Sequence, residues 1–393
     1  MPQLDRRLPS ITSMEHVAKR RMPKFAFDYL QGGIGAEACL AGNRRALDNV
    51  QLAPRYLPTE PIQPTFGASL FDREFPMPFA ASPLGLSGLM WPKADEQIAR
   101  VTTRHGLPLG LSSFATSSIE EIGVIAGDLL WFQLYCTEKP EIENDLIDRA
   151  EAAGCQVLIV TVDIPTATRR EKDIANGLSV PPKFDLMTLS QVALRPAWAL
   201  ATLRAGIPRF KTLLPYVPNG STLAASAIFL NDMVEGHVTV QKLERIRERW
   251  RGQLVIKGIL TVEDACLCQD LGVDAIVVSN HGGRQLDAAP LIPQVLPHIR
   301  AAVGPELPLI ADSGVRSGLD IARLIACGAN FVLIGRPFAY AVAAAGEAGV
   351  DHAIFLLREE LKQTLSQIGC QRLQDLAAHR IKKSPELHTT NTS

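Results

Sequence analysis

Eight short apolar runs, evenly spaced, restrict this chain more than any other feature. They are "MPFAASP" from Met77, "LPLGLSS" from Leu107, "LLWFQLY" from Leu129, "QVLIVTVD" from Gln156, "QLVIKG" from Gln253, "AIVVSN" from Ala275, "LPLIADSG" from Leu307 and "FVLIGR" from Phe331. Their β-branched content and flanking breakers mark them as strands. From one start to the next the intervals are 30, 22, 27, 97, 22, 32 and 24 residues. Between them, "KADEQIARVTTRHG", "PEIENDLIDRAEAAG", "TVEDACLCQDLG" and "SGLDIARLIACG" read as helices running into glycines suited to C-caps. Eight strands alternating with helices predict an α/β fold, a closed (β/α)8 barrel.

Only the 97-residue interval breaks the rhythm, so a long insertion follows strand four. Such barrels run to ~250 residues as one domain and tolerate insertions. The 393 residues therefore predict a single domain over 1–380, with an N-terminal helical segment over 1–65, an insertion at about 170–245 and a tail over 381–393. Fraying is expected after Leu376. Forty basic against forty-one acidic residues leave a formal net charge of −1, which removes the electrostatic basis for a general nucleic-acid binder. Any anionic ligand must be held by local charge. The seven cysteines are scattered, and the Cys266/Cys268 spacing fits neither a zinc pair nor a secreted disulfide framework, so a reducing cytoplasm and no metal are expected. No signal peptide is visible, and no run approaches the ~18 apolar residues of a membrane span.

In a barrel of this kind chemistry gathers where strands end at their C-terminal side. Those ends supply Pro83-Leu84-Gly85, Ser112 with Phe114, Gln133 with Tyr135, Thr161 with Asp163, Lys257, Ser279 with His281 and Arg284, Asp312 with Gly314 and Arg316, and Gly335-Arg336. Turn chemistry alone would give glycine and asparagine, hardly a lysine directly after "LVI" or a glutamine inside "WFQLY". The last two ends, "ADSGVRSG" and "LIGRP", combine glycines with arginines, a pattern suited to a phosphate at the usual phosphate position of the fold. A phosphate clamp, a lysine and a His/Arg pair point to an anionic cofactor beside an anionic substrate. His281 is then a candidate base, with Asp163 as the carboxylate that orients it. Arg284 offers a forked donor to a substrate carboxylate, and Gly282 and Gly283 permit the turn that brings both side chains into one pocket.

With these residues in view, the chain resembles the FMN-dependent L-2-hydroxy-acid oxidases and dehydrogenases. The resemblance runs from "MPKFAFDYLQGG" through "WFQLY", "TVDIP", "RREKD", "IKGIL" and "SNHGGRQLD" to "GRPFAYA" and "GEAGV", and "SNHGGRQLD" is the most specific part. "GLMWPKAD" is most similar to the membrane-associated mandelate dehydrogenase branch. The resemblance implies His281 as catalytic base with Asp163 as its partner, Arg284 and Tyr29 on the substrate carboxylate, Tyr135 near the substrate hydroxyl, and Arg170 as a second arginine. It implies Lys257 at the N1/O2 edge of the flavin, where positive charge favours electron uptake. Pro83, Leu84 and Gly85 would meet the isoalloxazine face, and Ser112, Gln133 and Thr161 its polar edges. Ser279 and Asp312 complete the cofactor contacts, with Gly314, Arg316, Gly335 and Arg336 at the phosphate. The implied reaction converts an L-2-hydroxy acid to the 2-keto acid; carbanion and hydride routes both need the histidine.

Two departures stand out. Phe114 occupies the place of a tryptophan, and Gly85 that of an alanine, in short-chain oxidases of the family. Losing an indole N–H and a methyl enlarges the substrate pocket, so lactate-like or larger mandelate-like substrates are expected. Glycine at that place resembles members that pass electrons to an acceptor such as quinone, which favours a dehydrogenase; an oxygen-using oxidase making hydrogen peroxide and a non-catalytic flavin-binding barrel are the alternatives.

The insertion segment Pro181 to Pro218 carries Lys183, Arg195, Arg204, Arg209 and Lys211 against Asp185, among Trp198, Leu203, Phe210 and Leu214. Such a segment suits a bilayer interface on the cytoplasmic face, as the resemblance to mandelate and bacterial lactate dehydrogenases also implies, or else a lid or an oligomer contact. The nearby "LERIRERWRG" from Leu243 balances its basic residues with glutamates and reads as a solvated helix face. The N-terminal segment is expected to pack across the barrel and deliver Tyr29, and the resemblance implies a homotetramer.

Overall fold

A computed structural model describes residues 2–178, 185–218, 228–229, 232–234 and 236–381. Eight parallel strands close into a barrel: β1 (Phe79–Ala81), β2 (Leu109–Ser112), β3 (Leu130–Leu134), β4 (Val157–Thr161), β5 (Gln253–Ile259), β6 (Ala275–Val278), β7 (Leu309–Ala311) and β8 (Phe331–Ile334). Each pairs with the next, and β8 returns to β1 through Val332–Phe79, Leu333–Ala80 and Ile334–Ala81. Seven fall inside the runs read from the sequence, and β5 passes the end of its run by one residue, Ile259. Their residues are almost all buried, as they must be when side chains fill the barrel on one face and helices cover the other.

The connecting helices end as expected, with left-handed glycines at Gly106, Gly154, Gly272 and Gly328. A two-stranded hairpin, Ala68–Leu70 with Arg73–Phe75, precedes the barrel. It brings Phe75 to 5.4 Å from Phe331 and 6.4 Å from Trp131, with Phe71 5.9 Å from Trp131, all ring-centre distances. Because Trp131 and Phe331 lie near the starts of their strands, this cluster closes the end opposite the mouth.

Helix Arg336–Ile368 is, among the described residues, the one helix long and apolar enough by composition to cross a bilayer. It is broken by non-helical backbone at Ala345 and Gly346, and 67% of its most apolar window is buried against the body. Core packing accounts for its composition.

Two expectations need correction. Trp198, read as part of an interfacial face, is buried: its indole N–H donates to Leu89 O at 3.2 Å and its ring meets Phe25 edge-on at 5.8 Å. Burying the largest apolar side chain of helix Pro196–Ala205 anchors the insertion to the barrel. Fraying after Leu376 also fails as far as Ile381, because Ala53 N–H donates to His379 O, Ile381 N–H donates to Gln51 O, and Leu376 is fully buried. Lys183 and the rest of 179–184, like the tail from 382 onward, lie outside the described residues. Helix Val240–Arg249 matches its reading in part: Leu243 and Ile246 are buried, while Arg249 pairs with Glu151 and Asp148, and Arg247 with Asp274.

Candidate active site

The mouth of the barrel collects side chains from most strand ends. After β6, three consecutive residues, His281, Gly282 and Gly283, take φ of +55°, +66° and +76°. Glycine makes the last two steps inexpensive, while His281 holds a left-handed backbone that few side chains adopt. A Cβ on Gly283 would lie 2.6 Å from Leu40 N, so its absence lets the turn pack against the N-terminal segment, where Ile34 N–H donates to Gly283 O at 3.1 Å. Asn43 and Asn280 exchange reciprocal amide hydrogen bonds of 2.9 and 2.7 Å and secure the same turn.

The turn aims His281 Nδ1 at Asp163 Oδ1, 2.9 Å away, with both side chains largely shielded from solvent. Burial works to raise the pKa of the Asp163 carboxyl, but the His281 charge and hydrogen bond, with Lys257 nearby, hold it below the ordinary carboxylate value. Asp163 is thus a fixed anion behind the ring. Its position depends on Gly258, at φ +108°, where a Cβ would lie 2.6 Å from Asp163 Cβ. The same residue makes the register shift in β5 between Lys257 and Ile259. Nothing singled out Gly258 beforehand, although a glycine directly after the strand-end lysine was a usable signal.

Lys257 is buried, lying 3.2 Å from Asp312 Oδ2 and donating to Ser279 Oγ at 2.9 Å. Desolvation opposes its charge, and Asp312 and Asp163 more than restore it, so the ammonium persists.

Arg284 and Arg170 flank the Tyr29 ring, 5.0 and 5.6 Å from its centre. Arg284 NH1 donates to Tyr29 O and Gly32 O, and its other nitrogens are not engaged among the described residues. Burial first, and then the neighbouring Arg170, lower the proton affinity of Arg284, as expected of a cation awaiting an anion. Arg170 is partly neutralised by Asp173 at 3.2 Å. Burial keeps the Tyr135 hydroxyl protonated, its affinity raised further by Asp163. Tyr29 reaches the mouth from helix Lys24–Gln31, its hydroxyl 3.4 Å from Gly85 O.

Gly85 leaves room for a methyl: a Cβ there would make only ordinary contacts, 3.7 Å from Phe114 Cβ and 3.9 Å from the Tyr29 hydroxyl. Phe114 packs edge-on against Tyr135 at 5.5 Å and against Phe210 at 5.4 Å. Phe210 belongs to the insertion and was not among the candidate site residues; only contact in space marks it.

The predicted cofactor residues fit FMN. Gln133 Nε2 and Thr161 Oγ1, on adjacent strands, are buried without a hydrogen-bond partner among the described residues, which a flavin's polar edge would remedy. Ser112 is buried beside them, its Oγ accepting from Phe114 N–H. Pro83 lies over β2 because Gly110 has no Cβ, which would fall 2.7 Å from Pro83 Cδ; Leu84 stands beside Gly335. At the expected phosphate position, Gly314 takes φ +98°. Arg316 and Arg336 make no ion pair among the described residues. Burial first, with Arg316 and Arg284 close by, brings Arg336 down to about 9. Two guanidiniums held near each other without a carboxylate suit a doubly charged anion. Arg336 also donates to Leu30 O, Gly282 O and Gly32 O, so it braces the turn that carries His281 as well.

The chain is similar to known proteins over most of its length. The FMN-dependent dehydrogenase family profile matches residues 18–383. An L-lactate dehydrogenase of Caulobacter vibrioides is 39% identical over 362 residues, covering 92% of this chain and 94% of that protein. One of Alcaligenes faecalis is 35% identical over 379 residues, covering 96% and 100%. Among solved structures, the monotopic membrane protein (S)-mandelate dehydrogenase superposes with a TM-score of 0.89 at 33% identity, covering 95% of this chain and 99% of that one. A mandelate oxidase gives 0.78 at 34% identity, covering 93% and 96%.

Proposed function

The chain belongs to the FMN-dependent dehydrogenase family and has the make-up of a 2-hydroxy-acid dehydrogenase, and from that premise we propose that it oxidises an L-2-hydroxy acid with His281 as base and passes the electrons to a quinone-type acceptor. The observation that carries this reading is the 2.9 Å His281–Asp163 contact, set between the buried Lys257 and the paired arginines. Arg284, assisted by Arg170 and Tyr29, holds the substrate carboxylate and so orients C2. Tyr135, kept protonated, donates to the substrate hydroxyl region. His281 takes one proton from the substrate, and Asp163 stabilises the resulting imidazolium. Bound FMN would supply the electron sink for the two electrons and the second hydrogen that the substrate loses as the alcohol becomes the ketone. Lys257 would present positive charge to the flavin edge, with Asp312 and Ser279 fixing its ammonium. Gln133, Thr161 and Ser112 would hold the flavin's polar edges, and Arg316 and Arg336 the phosphate.

The glycine at position 85, in place of alanine, supports a dehydrogenase over an oxygen-using oxidase. Exposed Leu186, Met187, Leu189, Leu194, Leu203 and Ile207, interspersed with Arg204 and Arg209, support peripheral attachment of the insertion to a membrane, where a quinone would be at hand.

The test is anaerobic flavin absorbance with L- and D-lactate, L-mandelate and glycolate, followed by mixing with oxygen or a soluble quinone. Bleaching by an L-acid, slow reoxidation by oxygen and fast reoxidation by quinone are expected. Fast oxygen reoxidation would make the protein an oxidase, and no bleaching would remove the catalytic reading.

A further inference from the structure

The turn that carries His281 is pinned by two serine hydroxyls, one of which stands where serine is an awkward residue. On one side, Ser279 Oγ accepts from His281 N–H at 3.0 Å and from Lys257 Nζ at 2.9 Å. On the other, Ser313 Oγ accepts from Gly282 N–H at 3.1 Å and donates to Asp312 Oδ1 at 2.7 Å. Asp312 Oδ2 lies 3.2 Å from Lys257 Nζ, which closes a ring of polar contacts across the ends of β5, β6 and β7. Ser313 is buried at φ +72°, in the left-handed region that glycine fills more easily. The two hydrogen bonds of the Ser313 hydroxyl offset the cost of that backbone.

We propose that Ser313 is a positioning residue that couples the His281 turn to the Lys257–Asp312 pair, so that one hydroxyl aims the base and sets how much lysine charge the flavin feels. The proposal rests on the reading of His281 and Lys257 given above. Without the hydroxyl, Gly282 N–H loses its acceptor and the His281 turn is released on one side. The Asp312 carboxylate loses its neutral donor, its charge falls more fully on Lys257, and less positive charge reaches the flavin edge. The two effects separate experimentally: the first slows proton removal, and the second disfavours electron uptake at equilibrium.

The experiment compares Ser313→Gly and Ser313→Ala with the unaltered holoenzyme. The flavin midpoint potential is measured with a chemical reductant and a reference dye, and thermal melting is followed with and without FMN. Both variants should shift the reduced-to-oxidised flavin ratio about tenfold toward the oxidised form, ~30 mV for a two-electron couple. Both should slow the limiting rate of flavin reduction while leaving substrate affinity unchanged. Ser313→Gly should melt higher than Ser313→Ala, because glycine alone relieves the backbone. An unchanged potential and reduction rate in both, with only melting affected, would overturn the proposal and leave Ser313 a structural residue. Lys257→Met separates the failures: if it too leaves the potential unchanged, the place given to Lys257 is wrong. The dye measurement needs no substrate, so it stands even if no hydroxy acid bleaches the protein.

Discussion

Asp163→Asn tests the electrostatics of the site most sharply. The change keeps the shape of the side chain and removes the charge 2.9 Å behind His281. Both partners are largely excluded from water, so their attraction is not that of a surface pair. A hydrogen bond to a charged group contributes about 1.5–3 kcal/mol, and losing one partner of a buried pair costs about 3–5 kcal/mol. The imidazolium forms only as the substrate proton transfers, so most of this loss falls on the barrier rather than on substrate binding. Taking about 3 kcal/mol at 1.36 kcal/mol per decade gives a limiting rate of flavin reduction lower by about a hundredfold. The assay is anaerobic stopped-flow reduction over a range of substrate concentration. FMN should remain bound, and substrate affinity should change less than threefold. The Asp163 carboxyl is held below its ordinary value, so its contribution is complete above about pH 4 and is lost only as pH falls below that. Protonation of Asp163 should therefore add no pH dependence of its own to the comparison between pH 5 and 8. A limiting rate within threefold of the original, or a loss seen only as weaker binding, would refute the role of the carboxylate.

Gly258→Ala should mimic that defect without touching a charged group, because the added methyl would sit 2.6 Å from Asp163 Cβ at a backbone φ of +108°; rapid-mixing kinetics should show slower flavin reduction, and a rate equal to the original would mean Asp163 has freedom to shift. Gly85→Ala should fold normally, since its methyl meets no protein atom closer than 3.7 Å, and should raise the rate of reoxidation by oxygen relative to quinone; an unchanged ratio would detach Gly85 from acceptor choice. Asp95, fully enclosed and linked to Ser87 and Thr116, is raised to about 6 by burial. A raised folded value favours the protonated fold, so its stabilising contribution is present below pH 4 and is lost as pH rises toward 6, by about 3 kcal/mol at 1.36 kcal/mol per unit. Denaturant titrations should accordingly show Asp95→Asn gaining on the original protein across that window; parallel stability curves would contradict it.

The barrel was legible because each strand is a buried β-branched run bounded by breakers, a pattern that survives without tertiary knowledge. The hairpin before it was not. Its turn residues, Phe71 and Asp72, take φ of +56° and +55° without the glycine or asparagine that usually announces such a turn, and its strands are three residues long. Among site residues, those at strand ends could be named because a barrel delivers them to one mouth. Phe210, Gly258 and Asn43 could not, since each matters through a neighbour remote in sequence. Trp198 misled for a related reason: helix Pro196–Ala205 is apolar on several faces, and its composition does not say which face the barrel takes.

The most direct measurement is anaerobic mixing of His281→Gln with an L-2-hydroxy acid that bleaches the unaltered protein. The account predicts a yellow protein with normal FMN content whose absorbance stays essentially unchanged on the timescale in which the original is reduced. Bleaching at a comparable rate would show that the histidine in this turn is not the base and would contradict the mechanism at its centre.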